Sequence, residues 1–121
     1  TMMTRIQDAL RPFGISRCYK GAKHTAYAIY LAVTDDARLE AVTKEIYMET
    51  AAHFQCKWTA VERNIRTVAA RAWRVNPDFL GQMAGYPLRC APTASEFIEI
   101  VASYIIRHSE PQPGLEPFGA V

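Results

Sequence analysis

Apolar residues in this chain recur mainly at intervals of three and four positions, the spacing of one face of an α-helix. The clearest apolar stripe consists of Val61, Ile65, Val68 and Ala72. It predicts a helix over about residues 59–74. No stretch alternates between apolar and polar residues over a useful strand length. The pattern therefore predicts an all-α fold, a compact multi-helix domain.

Proline and glycine mark the boundaries of the first two predicted helices. Pro12 and Gly14 stop a first helix over about residues 4–10. An alanine-rich stretch predicts a second helix over about residues 22–33. The apolar stripe of that helix comprises Ala26, Ile29, Tyr30 and Val33.

A third segment follows a cluster of helix-capping residues, namely Thr34, Asp35 and Asp36. Its apolar face comprises Leu39, Val42 and Ile46. We expect a turn or kink near Tyr47 and Met48, and then a short helix that ends at Phe54.

Two further helices are predicted from their capping residues. Asn76 and Pro77 form a cap and first-turn pair for a brief helix that ends at Gly85. Thr93 and Glu96 have the spacing of a capping box, which opens a last helix that ends near residue 107.

The length and composition fit one folded domain with an extension. The chain has 121 residues, of which 50% are apolar and 21% charged. We assign residues 1–108 to one helical domain and residues 109–121, which contain three prolines, to a flexible Pro-rich tail. No apolar run approaches the roughly 20 residues that span a bilayer, so we expect no membrane partner. Three cysteines without a CxxC pair favour a reducing cytoplasm.

Residues 51–61 have the spacing of a helix-turn-helix motif. This motif needs a small residue in its first helix, where the second helix crosses closely, and a buried branched residue in its second helix. Ala51 and Val61 satisfy these needs ten positions apart. The turn then falls at residues 55–57 and contains no glycine.

With the apolar stripe turned inward, the opposite face of the second motif helix carries Thr59, Glu62, Arg63 and Arg66. Arginine can donate two parallel hydrogen bonds to guanine, and glutamate can accept one from cytosine. Lys57 and Trp58 lie at the turn, where an ammonium group and an indole N–H would suit backbone phosphate. These residues predict a recognition helix for the major groove of double-stranded DNA.

Each of these residues also has a purely structural interpretation. Glu62 could close a capping box with Thr59, or pair with Arg66 four residues later. Trp58 could be a packing residue. Arg63 has no acidic partner four residues away on this helix, so it is the strongest candidate for a base contact.

No pattern in the chain predicts catalysis, a cofactor or a metal. The histidines at positions 24, 53 and 108 are scattered. His53 and Cys56 form an isolated H-x-x-C, which lacks two further zinc ligands. Glycine-rich phosphate loops and nucleophile elbows do not occur, so we expect a protein that is not an enzyme.

Four segments together resemble one known family. They are GISRCYKGAKHTAYAI from Gly14, AVTKEIYMETAAHF from Ala41, AVERNIRTVAARAW from Ala60 and PTASEFIEIVASYI from Pro92. They resemble the C-terminal effector domain of the sporulation response regulator called stage-zero sporulation protein A. The likeness covers roughly residues 5–107. It implies an all-helical domain that binds a short DNA box, in tandem or paired copies, and contacts RNA polymerase and its sigma factor.

The resemblance also implies site residues and differences. Glu62, Arg63 and Arg66 match family positions that face DNA. Ala60 stands where the family typically carries an arginine, and Met48 replaces a proline. A threonine-rich start of the recognition helix is replaced by residues 56–58, and the loop at 85–92 looks shorter.

Two functions follow as alternatives. The first is sequence-specific DNA binding for transcription, with a homodimer forming on DNA. The second is a protein-interaction module of the same fold, which docks on a sigma factor or a related regulator without specific DNA binding. With 14 residues before Ile15, we expect no receiver domain on this chain, which could be free-standing or a fragment of a longer regulator.

Overall fold

The computed structural model describes residues 1–108, which form helices joined by short turns. The α-helices are α1 (Met2–Leu10), α2 (Ala22–Thr34), α3 (Met48–Phe54), α4 (Trp58–Val75), α5 (Pro77–Ala84) and α6 (Ala94–His108). No strand occurs in this part of the chain, and the all-α prediction is confirmed. The predicted tail at 109–121 lies outside the described residues. Within 1–108, no helix combines the length and apolar character needed to cross a bilayer.

The core lies around α2, which packs against α1, α4 and α6. Ile29 of α2, Ile65 of α4 and Phe97 of α6 are fully buried there. Phe13, from a 3-10 turn after α1, packs edge-on against Phe97 with 6.3 Å between ring centroids. This arrangement places α4 on the outside of the domain with one face in the core.

Burial on α2 is wider than the predicted single stripe. Ala26 and Ile29 are buried as expected, but Tyr30 and Val33 are only half-buried. Thr25, Ala28 and Ala32 are fully buried as well. Helices contact α2 on several sides, and its small side chains let them approach closely.

The segment before α3 differs most from prediction. Residues Asp36–Ala41 form a 3-10 helix, and Thr43–Tyr47 form a π-helical turn. The predicted turn or kink near Tyr47 and Met48 corresponds to this π turn, which ends at Tyr47. The backbone at Met48 is right-handed helical, and α3 begins there. Arg38 donates to the backbone oxygen of Glu45 at 2.7 Å, which ties the two irregular helices together. π-helical turns are rare, and the spacing of the apolar residues does not mark this one.

The predicted helix caps around α5 and α6 are confirmed. The Asn76 side chain accepts from the Phe79 amide at 3.1 Å. The Thr93 hydroxyl accepts from the Glu96 amide at 3.1 Å, and the Glu96 carboxylate accepts from the Thr93 amide at 2.8 Å. At the other end of the chain α1 begins at Met2, two residues earlier than expected, because Thr1 caps it.

Candidate nucleic-acid interface

Helices α3 and α4 form the helix-turn-helix, joined by the turn at residues 55–57. Ala51 is 5% exposed and Val61 is fully buried, as the motif requires. Gln55 ends α3 with φ 57° and ψ 51°, in the left-handed region. Among residues 1–108 it alone has a positive φ without being glycine. The motif turn thus forms without glycine, at the expense of a strained glutamine.

The predicted inner stripe of α4 is confirmed. Val61, Ile65, Val68 and Ala72 are fully buried, together with Ala69. Burial of this whole face fixes the rotation of α4 about its own axis. The opposite face is consequently held outward.

Arg63 lies on that outward face and is exposed. Its guanidinium has no hydrogen-bond or ion-pair partner among residues 1–108. The backbone oxygen of Arg63 accepts from the Thr67 hydroxyl at 3.0 Å, and this bond does not involve the guanidinium. Thr59, on the first turn of the same helix, and Lys57, its N-cap residue, are exposed as well.

Glu62 and Arg66 form the ion pair that their spacing allows. The carboxylate oxygen Oε1 of Glu62 lies 3.5 Å from a guanidinium nitrogen of Arg66, whose side chain is 60% exposed. Pairs of this kind on a helix surface contribute about 0.3–0.5 kcal/mol, so the contact can be exchanged for another. The alternative capping box of Glu62 with Thr59 does not form, because α4 begins at Trp58 and its cap residue, Lys57, makes no side-chain capping bond.

Trp58 is partly a packing residue and partly exposed. Its ring lies parallel to that of Tyr47, with an interplanar angle of 1° and 6.4 Å between centroids, while 39% of the residue stays accessible. Burial and then the negative charge of Glu62 raise the pKa of Tyr47 to about 12. Tyr47 therefore stays a neutral phenol near the start of α4.

Sequence reasoning missed a polar contact behind the turn. The Asn64 amide lies 3.0 Å from Nδ1 of His24, and Nε2 of the same imidazole lies 4.0 Å from the Cys56 sulfur. Burial and then the charge of Lys23 lower the pKa of His24. Cys56 contacts His24 and not His53, and no group of three metal-binding side chains occurs within residues 1–108. Forty positions separate Asn64 from His24, so no local pattern could have found this pair.

Arg71 serves the fold and is not part of the outward face. Its Nε donates to the Gly14 carbonyl at 3.3 Å, and its guanidinium lies over the Tyr19 ring, 4.8 Å from the centroid. These two contacts fasten the loop between α1 and α2 to α4.

Comparison with known families agrees with this geometry. Residues 6–105 match the family model described as sporulation initiation factor Spo0A C terminal, so the resemblance seen in the sequence is confirmed. The match runs from the first buried residue of α1 into the last turns of α6. Domains of this family bind DNA as effectors of a sporulation regulator and are regulatory rather than catalytic. The chain therefore belongs to the Spo0A C-terminal family and is a DNA-binding regulatory domain.

Proposed function

We propose that this domain regulates transcription by placing α4 in the major groove of a specific DNA site. One observation carries the proposal: Arg63 extends unpartnered from the face opposite a fully buried stripe. A base-reading helix needs this arrangement, because its side chains must reach base edges without first breaking strong contacts inside the protein.

Each residue of the outward face has a distinct role in this proposal. Arg63 donates to O6 and N7 of a guanine. Arg66 leaves its weak pair with Glu62 to do the same at a neighbouring base pair, and the freed carboxylate accepts from a cytosine amine. Lys57 and Trp58 bind backbone phosphate, and Thr59 contacts either a base edge or the backbone. No cofactor or catalytic step is needed.

The test is loss of specific binding when the guanidinium is removed. Arg63→Ala should weaken binding to the selected site by about 1–3 kcal/mol, and should relax specificity at one base position. The site is first obtained by selecting bound sequences from random duplex DNA, and affinities are measured by mobility shift. Arg5→Ala, on an exposed position of α1, is the matched control and should bind as the parent does. Equal affinity of Arg63→Ala and parent would contradict the proposal.

Paired copies on DNA form a second part of the proposal. A single small domain that reads a short box gains affinity when a second copy binds beside it. Footprinting should then protect two boxes rather than one. A footprint of a single box at saturating protein would reject pairing while leaving DNA reading intact.

A protein-interaction function of the same surface is the alternative. Met48 is 49% exposed and Trp58 is 39% exposed, and both lie in the helix-turn-helix. Exposed apolar side chains of this size are common at protein contacts. Capture of a purified sigma factor or a related regulator, together with no enrichment in the DNA selection, would favour this alternative.

A further inference from the structure

An open groove of about 840 Å³ is lined by α1, the loop after it, α2 and the end of α3, and none of the residues proposed to contact DNA lines it. The loop between α1 and α2 forms one wall, and α3 contributes His53 and Phe54 to the other. Asn64 of α4 lies at its border. This volume is within the range of about 300–1,000 Å³ that is typical of small-molecule sites.

The charge of the groove has one sign. Arg17, Lys20 and Lys23 line it, and no aspartate or glutamate among the described residues does. The ion pairs found within residues 1–108 lie elsewhere, at Arg11, Arg38 and Arg66. Three unneutralised cations around one cavity attract an anion.

The second wall of the groove is aromatic. Tyr27 stacks on His53 with 4.1 Å between centroids and an interplanar angle of 12°. Phe54 lies 5.0 Å from the His24 ring and 4.8 Å from the His53 ring. These four rings form a continuous cluster that lines the same cavity as the cations. Such a surface favours a flat aromatic group.

We propose that this groove binds a small phosphate-bearing aromatic ligand of the mononucleotide class. The phosphate lies among Lys20, Lys23 and Arg17, and the base packs against the ring cluster of Tyr27, His53, Phe54 and His24. A phosphate of duplex DNA would need the cations but neither the volume of the groove nor the rings. The combination of all three features is what favours a free nucleotide.

The test is a titration of the full chain with AMP and GMP. Binding is measured by calorimetry and by the shifts of amide signals in NMR. Inorganic phosphate and adenosine are the partial ligands. We expect saturable nucleotide binding that shifts amides at residues 17–24 and 53–54, with an affinity at least about tenfold above either partial ligand. No saturable binding, shifts confined to other residues, or equal affinity for nucleotide and inorganic phosphate would each overturn the proposal.

Substitutions distinguish nucleotide binding in the groove from binding to DNA. Lys20→Gln combined with Lys23→Gln should weaken nucleotide binding by at least about tenfold, since it removes two of the three cations proposed to hold the phosphate. Both side chains are exposed, so the fold should persist, and thermal unfolding checks this. Lys44→Gln, an exposed lysine outside the groove, is the control and should change nothing. If the double variant weakens duplex DNA binding and not nucleotide binding, the cations belong to the DNA surface and the proposal is wrong.

Discussion

At the scale of single residues, two positions near the motif turn hold unusual states. Gln55 occupies left-handed backbone geometry, which is unfavourable for a residue with a Cβ by roughly 1–2 kcal/mol. His24 is held with a lowered pKa behind the same turn. Both states persist because the packing of α3 and α4 around the turn stabilises the domain by more than these two states destabilise it.

Replacing Gln55 with glycine should stabilise the domain. Gln55→Gly relieves the left-handed strain but adds freedom to the unfolded chain, so the expected net gain is about 0.5–1 kcal/mol. Urea unfolding measures it. Gln82→Gly, at an exposed position inside α5, is the control and should lose about 1 kcal/mol. A lower free energy of unfolding for Gln55→Gly would mean that the glutamine side chain makes a contact that stabilises the domain by more than the strain destabilises it.

His24 should make the domain less stable in mild acid. Its pKa is lowered on folding, so the folded state resists protonation more than the unfolded state does. The contribution of neutral His24 to the free energy of unfolding is fully present above the ordinary pKa of 6.5. It is lost as the pH falls from there through the lowered pKa of His24 in the folded state. Urea unfolding at a series of pH values should show this loss in the parent and less of it in His24→Gln. Lys23→Gln, which removes the second cause, should raise the pKa of His24 measured by NMR.

At the scale of elements, the orientation of α4 depends on close contact with its neighbours. Gly21 caps α2 at φ 89°, and a Cβ there would lie 3.1 Å from the Asn64 backbone oxygen and 3.3 Å from a Val68 methyl. The start of α2 therefore touches α4 directly. Arg71 reinforces this junction from the other side of the loop through the Gly14 carbonyl.

A side chain at position 21 should separate α2 from α4. Gly21→Ala adds both backbone strain and a clash with backbone, so the expected loss of stability is roughly 2 kcal/mol or more. Gly85→Ala is the matched control, because Gly85 has the same φ of 89° but open space around the position of a Cβ. It should lose only about 1 kcal/mol, from strain alone. Equal losses in the two variants would show that the α2–α4 approach is not tight.

At the scale of the whole molecule, charge is nearly balanced. The net charge of the chain is +2, so attraction of the entire domain to DNA is weak. The attraction must come from where the cations of the proposed interface lie, at the start and on the first turns of α4. Specificity then depends on a few side chains, and not on overall charge.

Lys57 should contribute affinity without specificity. If it binds a phosphate, Lys57→Gln weakens binding to all sequences by a similar factor and lowers the slope of log affinity against log salt by about 1. Mobility shifts at several salt concentrations, on the selected site and on a scrambled one, measure both quantities. An unchanged salt slope for Lys57→Gln would show that Lys57 does not bind a DNA phosphate.

The amino-acid sequence by itself determined the helical class, the buried face of α4 and the caps at Asn76 and Thr93. These features depend on residues three or four positions apart, and such spacing is visible in a linear pattern. The tertiary structure alone decided the π turn before α3, the contact of His24 with Asn64 and the anchoring of Arg71 at Gly14. The π turn is tied by Arg38 to Glu45, seven positions away, a contact that the spacing of apolar residues does not reveal. The contacts of His24 and Arg71 join residues 40 and 57 positions apart, and they form only once hydrophobic burial has packed the helices together.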